Sequence, residues 1–185
     1  RFKWLEYYKL KFRGDWYTTL VGDLVMRTNA EFGFLGAYNH DLGDVPFERF
    51  FLGGDGMGNF TLDGRDIVQL RGYDNYTLTP PNPITGQQEG SLVYNKYSLE
   101  LRYPLTLKPS ASIYALTFLE AGNAFNNFQE FNPFDIKRSA GVGLRIFMPA
   151  FGLLGIDFGY GFDPNYVSPG VKSGWQTHFI IGQRF

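Results

Sequence analysis

The sequence predicts an all-β fold and, within that class, an antiparallel transmembrane β-barrel. Long segments alternate apolar residues with polar or small ones at a period of two, which places alternate side chains on opposite faces of a strand. Aromatic residues make up 18% of the chain, and many stand near strand ends, as in the aromatic girdles of barrels. No window approaches the ~18 consecutive apolar residues that a spanning helix requires, so strands are the predicted spanning elements.

Seven segments carry the alternation, and each is long enough to cross a bilayer. About 9 to 11 tilted residues suffice for a transmembrane strand, whereas strands of soluble proteins usually have about 5 to 6 residues. The candidate strands span about residues 4–18, 23–38, 92–105, 113–125, 137–148, 153–162 and 174–185.

The segment 153–162 shows the alternation most sharply. One face is an apolar stripe from Leu154 to Phe162, while the other carries glycines and Asp157. Soluble sheets usually expose a richly charged second face, so the small residues here predict that another part of the chain packs against this face. The same alternation puts Glu100 on the polar face of segment 92–105, and it permits an inward position for Glu120 in the otherwise apolar segment 113–125.

Composition excludes several classes of function. The formal net charge is −1, which gives no basic surface for nucleic acid. The chain has no cysteine, and its two histidines, His40 and His178, lack metal-ligand spacing. Glu100 and Glu120 could form a catalytic carboxylate pair, but no nucleophile or sugar-binding cleft accompanies them. We therefore expect no cofactor, no metal site and no catalytic residues.

A long irregular segment, about residues 40–90, interrupts the strand pattern. It contains 48–54, rich in aromatic residues and glycine, and the run Leu70, Arg71, Gly72, Tyr73. Glycines allow tight turns, and arginine presents a planar cation to carboxylates. We expect this segment to fold inward, against the inner face of the strands.

These two stretches resemble the signature loop of the BamA insertase superfamily of outer-membrane assembly factors, whose motif reads Val-Arg-Gly-Phe. Leu70 and Tyr73 depart mildly from the first and last motif positions, whereas Arg71 and Gly72 match it. The long spacer at 55–69 resembles the Bacteroidetes branch. The likeness covers the whole chain, including its aromatic C-terminal strand.

The resemblance implies a barrel of about sixteen strands, of which residues 1–185 would be the C-terminal seven. The N-terminal strands and the periplasmic domains would lie outside this chain. Arg71 would pair with Glu100 and Glu120. The last strand would be a gate that opens sideways, and the residues assigned to this gate strand are Phe179, Ile181, Gly182 and Phe185.

The implied function is the folding and insertion of β-barrel proteins into the bacterial outer membrane, without enzymatic chemistry. Insertion would take place through the seam, the junction between the last strand and the first strand of the barrel. The implied partners are outer-membrane lipid, nascent outer-membrane β-barrel proteins and periplasmic accessory lipoproteins. Two alternatives stay open: a secretion pore of the same superfamily that exports one dedicated passenger and, less favoured, a barrel enzyme that hydrolyses lipid.

Overall fold

A single antiparallel sheet with a loop packed on one face is the main feature of the computed structural model. It describes residues 6–38, 48–56, 65–108, 111–149 and 152–182. The strands are β1 (Tyr7–Val21), β2 (Leu24–Ala37), β3 (Phe50–Leu52), β4 (Asp66–Val68), β5 (Val93–Lys108), β6 (Ala111–Phe125), β7 (Lys137–Met148), β8 (Gly152–Pro164) and β9 (Lys172–Gly182).

Seven of these strands form the sheet, in the order β1-β2-β5-β6-β7-β8-β9, and each neighbouring pair is antiparallel. The all-β antiparallel fold predicted from the sequence is confirmed. The long strands agree with the predicted segments to within a few residues at each end. The short strands β3 and β4 were not predicted; they pair in parallel within the loop. In the described ranges, no helix is long and apolar enough to span a membrane.

The two faces of the sheet differ in chemistry. We call the face that contacts the loop the inner face and the opposite one the outer face. The outer face exposes large apolar side chains on the first and last strands alike, including Phe12, Trp16, Phe179 and Ile181. An apolar face of this extent is typical of contact with lipid or with another protein, and in a β-barrel it faces the bilayer.

The hydrophobic core lies where the loop meets one end of β2, β5 and β6. Phe50 and Leu52 of β3 are fully buried there, and fully burying such a side chain contributes about 1.5 to 3 kcal/mol. The cluster consists of Leu35, Phe50, Leu52, Val68, Leu70, Tyr73, Leu78, Leu92, Val93, Tyr94, Ala124 and Phe125. The loop is therefore packed onto the sheet as part of its core.

Ion pairs join the loop to β1. Lys9 Nζ lies 2.8 Å from a Glu48 oxygen and 3.0 Å from an Asp66 oxygen, and Lys11 also pairs with Asp66. We call Lys9 and Lys11 the β1 lysines. They fix the β4 end of the loop at the opposite side of the sheet from β9.

Candidate functional site

Backbone hydrogen bonds fold the loop so that residues 70–73 reach the inner face. Gly54 and Leu70 exchange backbone hydrogen bonds, each 3.2 Å long, and the Leu78 amide donates to the Leu52 carbonyl at 3.2 Å. The first two bonds continue the contact between the β3 and β4 segments, and the third joins the chain after the motif to β3. They deliver the guanidinium of Arg71 into a group of inward-facing carboxylates.

The Arg71 side chain contacts carboxylates on three different strands. Its Nη2 donates to Glu100 on β5 at 2.6 Å and to Glu120 on β6 at 2.7 Å, while Nη1 donates to Asp157 on β8 at 3.1 Å. The Arg71 backbone amide also donates to Glu120, at 2.8 Å. One residue thus links the loop to three strands of the sheet.

The Arg71 guanidinium is buried among groups that compensate its charge. It lies 3.8 Å from the centre of the Phe118 ring, which adds a cation–π contact. Burial by itself lowers the pKa of Arg71, but the carboxylates of Glu120 and Glu100 outweigh it and raise that pKa above its usual value. The guanidinium therefore stays charged and acts as a permanent ionic anchor.

Other cations complete the network around the carboxylates. Asp157 accepts two hydrogen bonds from Arg145 on β7, both 2.6 Å long. Glu100 also pairs with Arg102 and, at 3.3 Å, with Arg27. Each of the three carboxylates contacts at least one arginine, an arrangement that favours a structural role over general acid–base catalysis.

Gly72 lets the loop backbone lie directly on β8. Its φ of 86° is in the left-handed region that favours glycine. A Cβ on Gly159 of β8 would lie 2.7 Å from the Gly72 nitrogen, and one on Gly161 would lie 2.4 Å from the Gly72 oxygen. The inner face of β8, which carries glycines, is therefore the surface that the loop backbone contacts.

Leu70 and Tyr73 occupy the two ends of the motif, and both are fully buried in the hydrophobic core. The Tyr73 hydroxyl donates to the Arg138 carbonyl at 2.8 Å, and burial raises the pKa of Tyr73. The departures from valine and phenylalanine are accommodated without exposing either side chain.

The last strand meets the motif through His178. This residue faces inward, is 4% exposed, and its Nε2 accepts a hydrogen bond from the Gly72 amide at 2.8 Å. Phe179 and Ile181 lie on the exposed outer face, and Gly182 has a φ of 142°. Phe185, the fourth residue assigned to the gate strand, lies outside the described residues.

Asp157, Arg145 and His178 are site residues that sequence reasoning did not connect with Arg71. All of them occupy inner-face positions of their strands, and the period-two alternation assigns each to that face. The missing information is where the loop lies along the sheet. A search for charged or imidazole side chains on the inner faces would have found the three as candidates.

The chain matches one protein family and is similar to a solved structure. The model of the Omp85 superfamily domain matches residues 2–185. A solved structure, the crystal structure of BamA from Haemophilus ducreyi lacking POTRA domains 1–3, is similar with a TM-score of 0.65 and 18% sequence identity. That match covers 95% of this chain and 35% of the BamA chain, so the chain spans about a third of the length of that structure. No curated protein matches the sequence significantly.

Proposed function

Because the chain belongs to the Omp85 superfamily of bacterial outer-membrane β-barrel proteins, we propose that it is part of an insertase that folds β-barrel proteins into the outer membrane. In this proposal the chain supplies the C-terminal part of the barrel. Residues of about 40–90 form its lumen loop, and further strands and periplasmic domains precede it. The protein binds nascent barrel chains and accessory lipoproteins and has no enzymatic role.

The anchored loop is the observation that carries this proposal. Arg71 joins the loop to β5, β6 and β8 through three buried carboxylates. Leaving one member of such a set unpaired costs about 3 to 5 kcal/mol, which suits a plug held firmly in one place. A firm anchor on one side of the barrel would leave the seam beside β9 as the part that can move.

The proposed insertion step uses the edge of the last strand that opening of the seam would expose. Unpaired backbone amides and carbonyls of an edge strand template the addition of another strand. A client strand would add to β9, while the outward Phe179 and Ile181 keep contact with lipid. The φ of Gly182 departs from that of a regular strand, which would weaken regular pairing at this end of the seam.

A disulfide across the seam tests the proposal. Cysteines would join β9 to the first strand of the barrel in the full-length protein, and insertion of a β-barrel client into vesicles of outer-membrane lipid would be measured with and without reductant. We expect the oxidised form to be inactive and the reduced form to recover. A matched control joins Leu144 to Ile156, which are Cα partners on the already paired β7 and β8, and should leave insertion unchanged. Normal insertion by the seam-locked form would refute lateral opening.

The polar lumen favours a second candidate, a pore that exports one passenger protein. A cavity of about 780 Å³ on the inner face is lined by Lys11, Arg13, Arg27, Glu31 and other charged residues, and a polar interior suits passage of an unfolded chain. Depletion of the protein separates the candidates: general loss of outer-membrane barrels indicates an insertase, whereas loss of one secreted protein indicates an exporter.

Lipid hydrolysis is the least favoured candidate. His178 would be its general base, but its Nε2 faces inward and is occupied by the Gly72 amide, away from the lipid-facing side. A lipase assay of the purified full-length protein tests this candidate directly, and measurable hydrolysis that His178→Leu abolishes would establish it against the insertase proposal.

A further inference from the structure

The contact between Gly72 and His178 ties the motif to the last strand by a bond of a different kind from the arginine network. The Gly72 amide is a donor, so Nε2 of His178 must carry no proton in order to accept at 2.8 Å. The imidazole therefore holds its proton on Nδ1. Only the neutral ring can make this bond, whereas the Arg71 guanidinium stays charged.

We infer that His178 is a positioning residue that couples the last strand to the lumen loop, and that protonation of its ring releases this coupling. A doubly protonated ring would point an Nε2 proton at the Gly72 amide proton. The bond would be lost, and the buried amide would be left without its acceptor. This inference rests on the proposed function only in assigning the coupling a role in insertion.

In the part of the chain that the structure describes, few side-chain hydrogen bonds connect the motif to the last strand, and this gives the His178 bond its importance. Within the described residues, two side-chain hydrogen bonds join the 70–74 segment to β9: the His178 bond and one from Gln176 to Asp74. The Gln176 bond is exposed and 3.4 Å long, whereas the His178 bond is buried. Of these two links between the segment and the strand, the buried His178 bond is thus the shorter and the better shielded from water.

Charged groups face the ring from several elements. Asp157 is the Cα partner of His178 on β8, and Glu120 on β6, Asp55 in the loop and Arg71 also act on the imidazole. The carboxylates would hold an imidazolium inside the lumen once it forms. Protonation would therefore separate the Gly72 amide from the ring while leaving the Arg71 anchor in place.

Amide hydrogen exchange of the full-length protein in bilayer nanodiscs tests the inference. Peptides covering residues 70–75 would be followed at about pH 8 and about pH 4.5, the latter well below the usual histidine pKa of about 6.5, with correction for intrinsic exchange rates. In the wild type we expect exchange to accelerate about tenfold at the lower pH, since a lost hydrogen bond with a stranded buried amide has about that effect.

Three variants separate the possible causes. His178→Gln keeps an acceptor near the Nε2 position but cannot titrate, so it should be protected at both pH values. His178→Leu removes the acceptor and should exchange rapidly at both. Thr177→Ala, next to His178 but on the exposed outer face of the same strand, should behave as the wild type. The inference is overturned if His178→Leu is protected like the wild type at about pH 8, or if His178→Gln shows the wild-type pH effect.

Client insertion by the same proteins tests the role of the coupling. We expect His178→Leu to insert clients several-fold more slowly and His178→Gln to retain activity. If the wild type inserts no client, the proposed function fails while the exchange result stands. If His178→Leu loses protection but inserts at the wild-type rate, the coupling has no role in insertion and that part of the inference is refuted.

Discussion

Replacing Arg71 by lysine tests whether the planar guanidinium, rather than positive charge alone, holds the lumen loop. Arg71 reaches Glu100, Glu120 and Asp157 on three strands, at 2.6, 2.7 and 3.1 Å. Lysine keeps the charge but ends in one compact ammonium group. The lysine side chain is one bond shorter than that of arginine, so its nitrogen does not reach the position from which Nη2 donates to both Glu100 and Glu120. We expect it to keep about one of the three bonds.

The expected loss follows from the bonds that disappear. Two charge-assisted hydrogen bonds of roughly 1.5 to 3 kcal/mol each would go, and water in the lumen would recover part of that energy. We therefore expect Arg71→Lys to weaken loop docking by about 3 kcal/mol, which increases the undocked population about 150-fold. Arg71→Ala should weaken it by about 3 to 5 kcal/mol, because it also leaves buried carboxylates without their cation.

Chymotrypsin cleavage of the full-length protein in detergent micelles measures the undocked population. Tyr73 and Leu78 are fully buried when the loop is docked, and cleavage follows the open population when opening and closing are fast. Arg138→Lys is a matched control, since the Arg138 side chain is 64% exposed and pairs with Asp163 at the surface. Wild-type cleavage rates in Arg71→Lys and Arg71→Ala would refute the anchoring argument.

Three further predictions use the same loop. Gly159→Ala should speed cleavage about tenfold or more, because its Cβ would lie 2.7 Å from the Gly72 nitrogen; Gly14→Ala, which would meet only a tryptophan side chain, is its control. Ser139→Ala should leave cleavage unchanged or slower, because the buried Ser139 hydroxyl has no hydrogen-bond partner among the described residues; a marked acceleration would contradict this. Burial alone raises the pKa of Asp66, but hydrogen bonds from the β1 lysines lower this pKa below its usual value. The ionised Asp66 therefore stabilises the docked loop fully above the unfolded pKa of about 3.9, and this stabilisation is lost as the pH falls through the folded pKa. Hydrogen exchange at 65–68 should therefore accelerate as the pH falls below about 3.9, and Asp66→Asn should lose that response.

The long strands were predictable because their two faces meet different surroundings. In β8, for example, Phe158 faces outward while Gly159 lies under the loop, and this contrast repeats along the strand with period two. The short strands β3 and β4 were not predictable in the same way. Three residues per strand, both in a glycine-containing loop, give too short a run for any periodicity to appear.

The site was predictable in its residue types but not in its full membership. The alternation assigns Asp157 and His178 to the inner face, but it does not give the position of Arg71 along that face. The family resemblance implied Glu100 and Glu120 as its partners and gave no role to Asp157 or His178. The loop is placed by packing of Phe50 and Leu52 and by the close approach of Gly72 to β8. Such contacts depend on the register of several strands together, which the sequence of any one strand does not contain.

The span of the Arg71–Gly72 contacts along the chain has a consequence for the order of assembly. Glu100, Glu120, Asp157 and His178 lie 29, 49, 86 and 106 residues from their partners in the motif. Contacts this distant in sequence form late, because the intervening chain must first lose its freedom. The motif can engage all four residues only when β5, β6, β8 and β9 are in place, so these contacts are expected to form at the end of the assembly of this sheet.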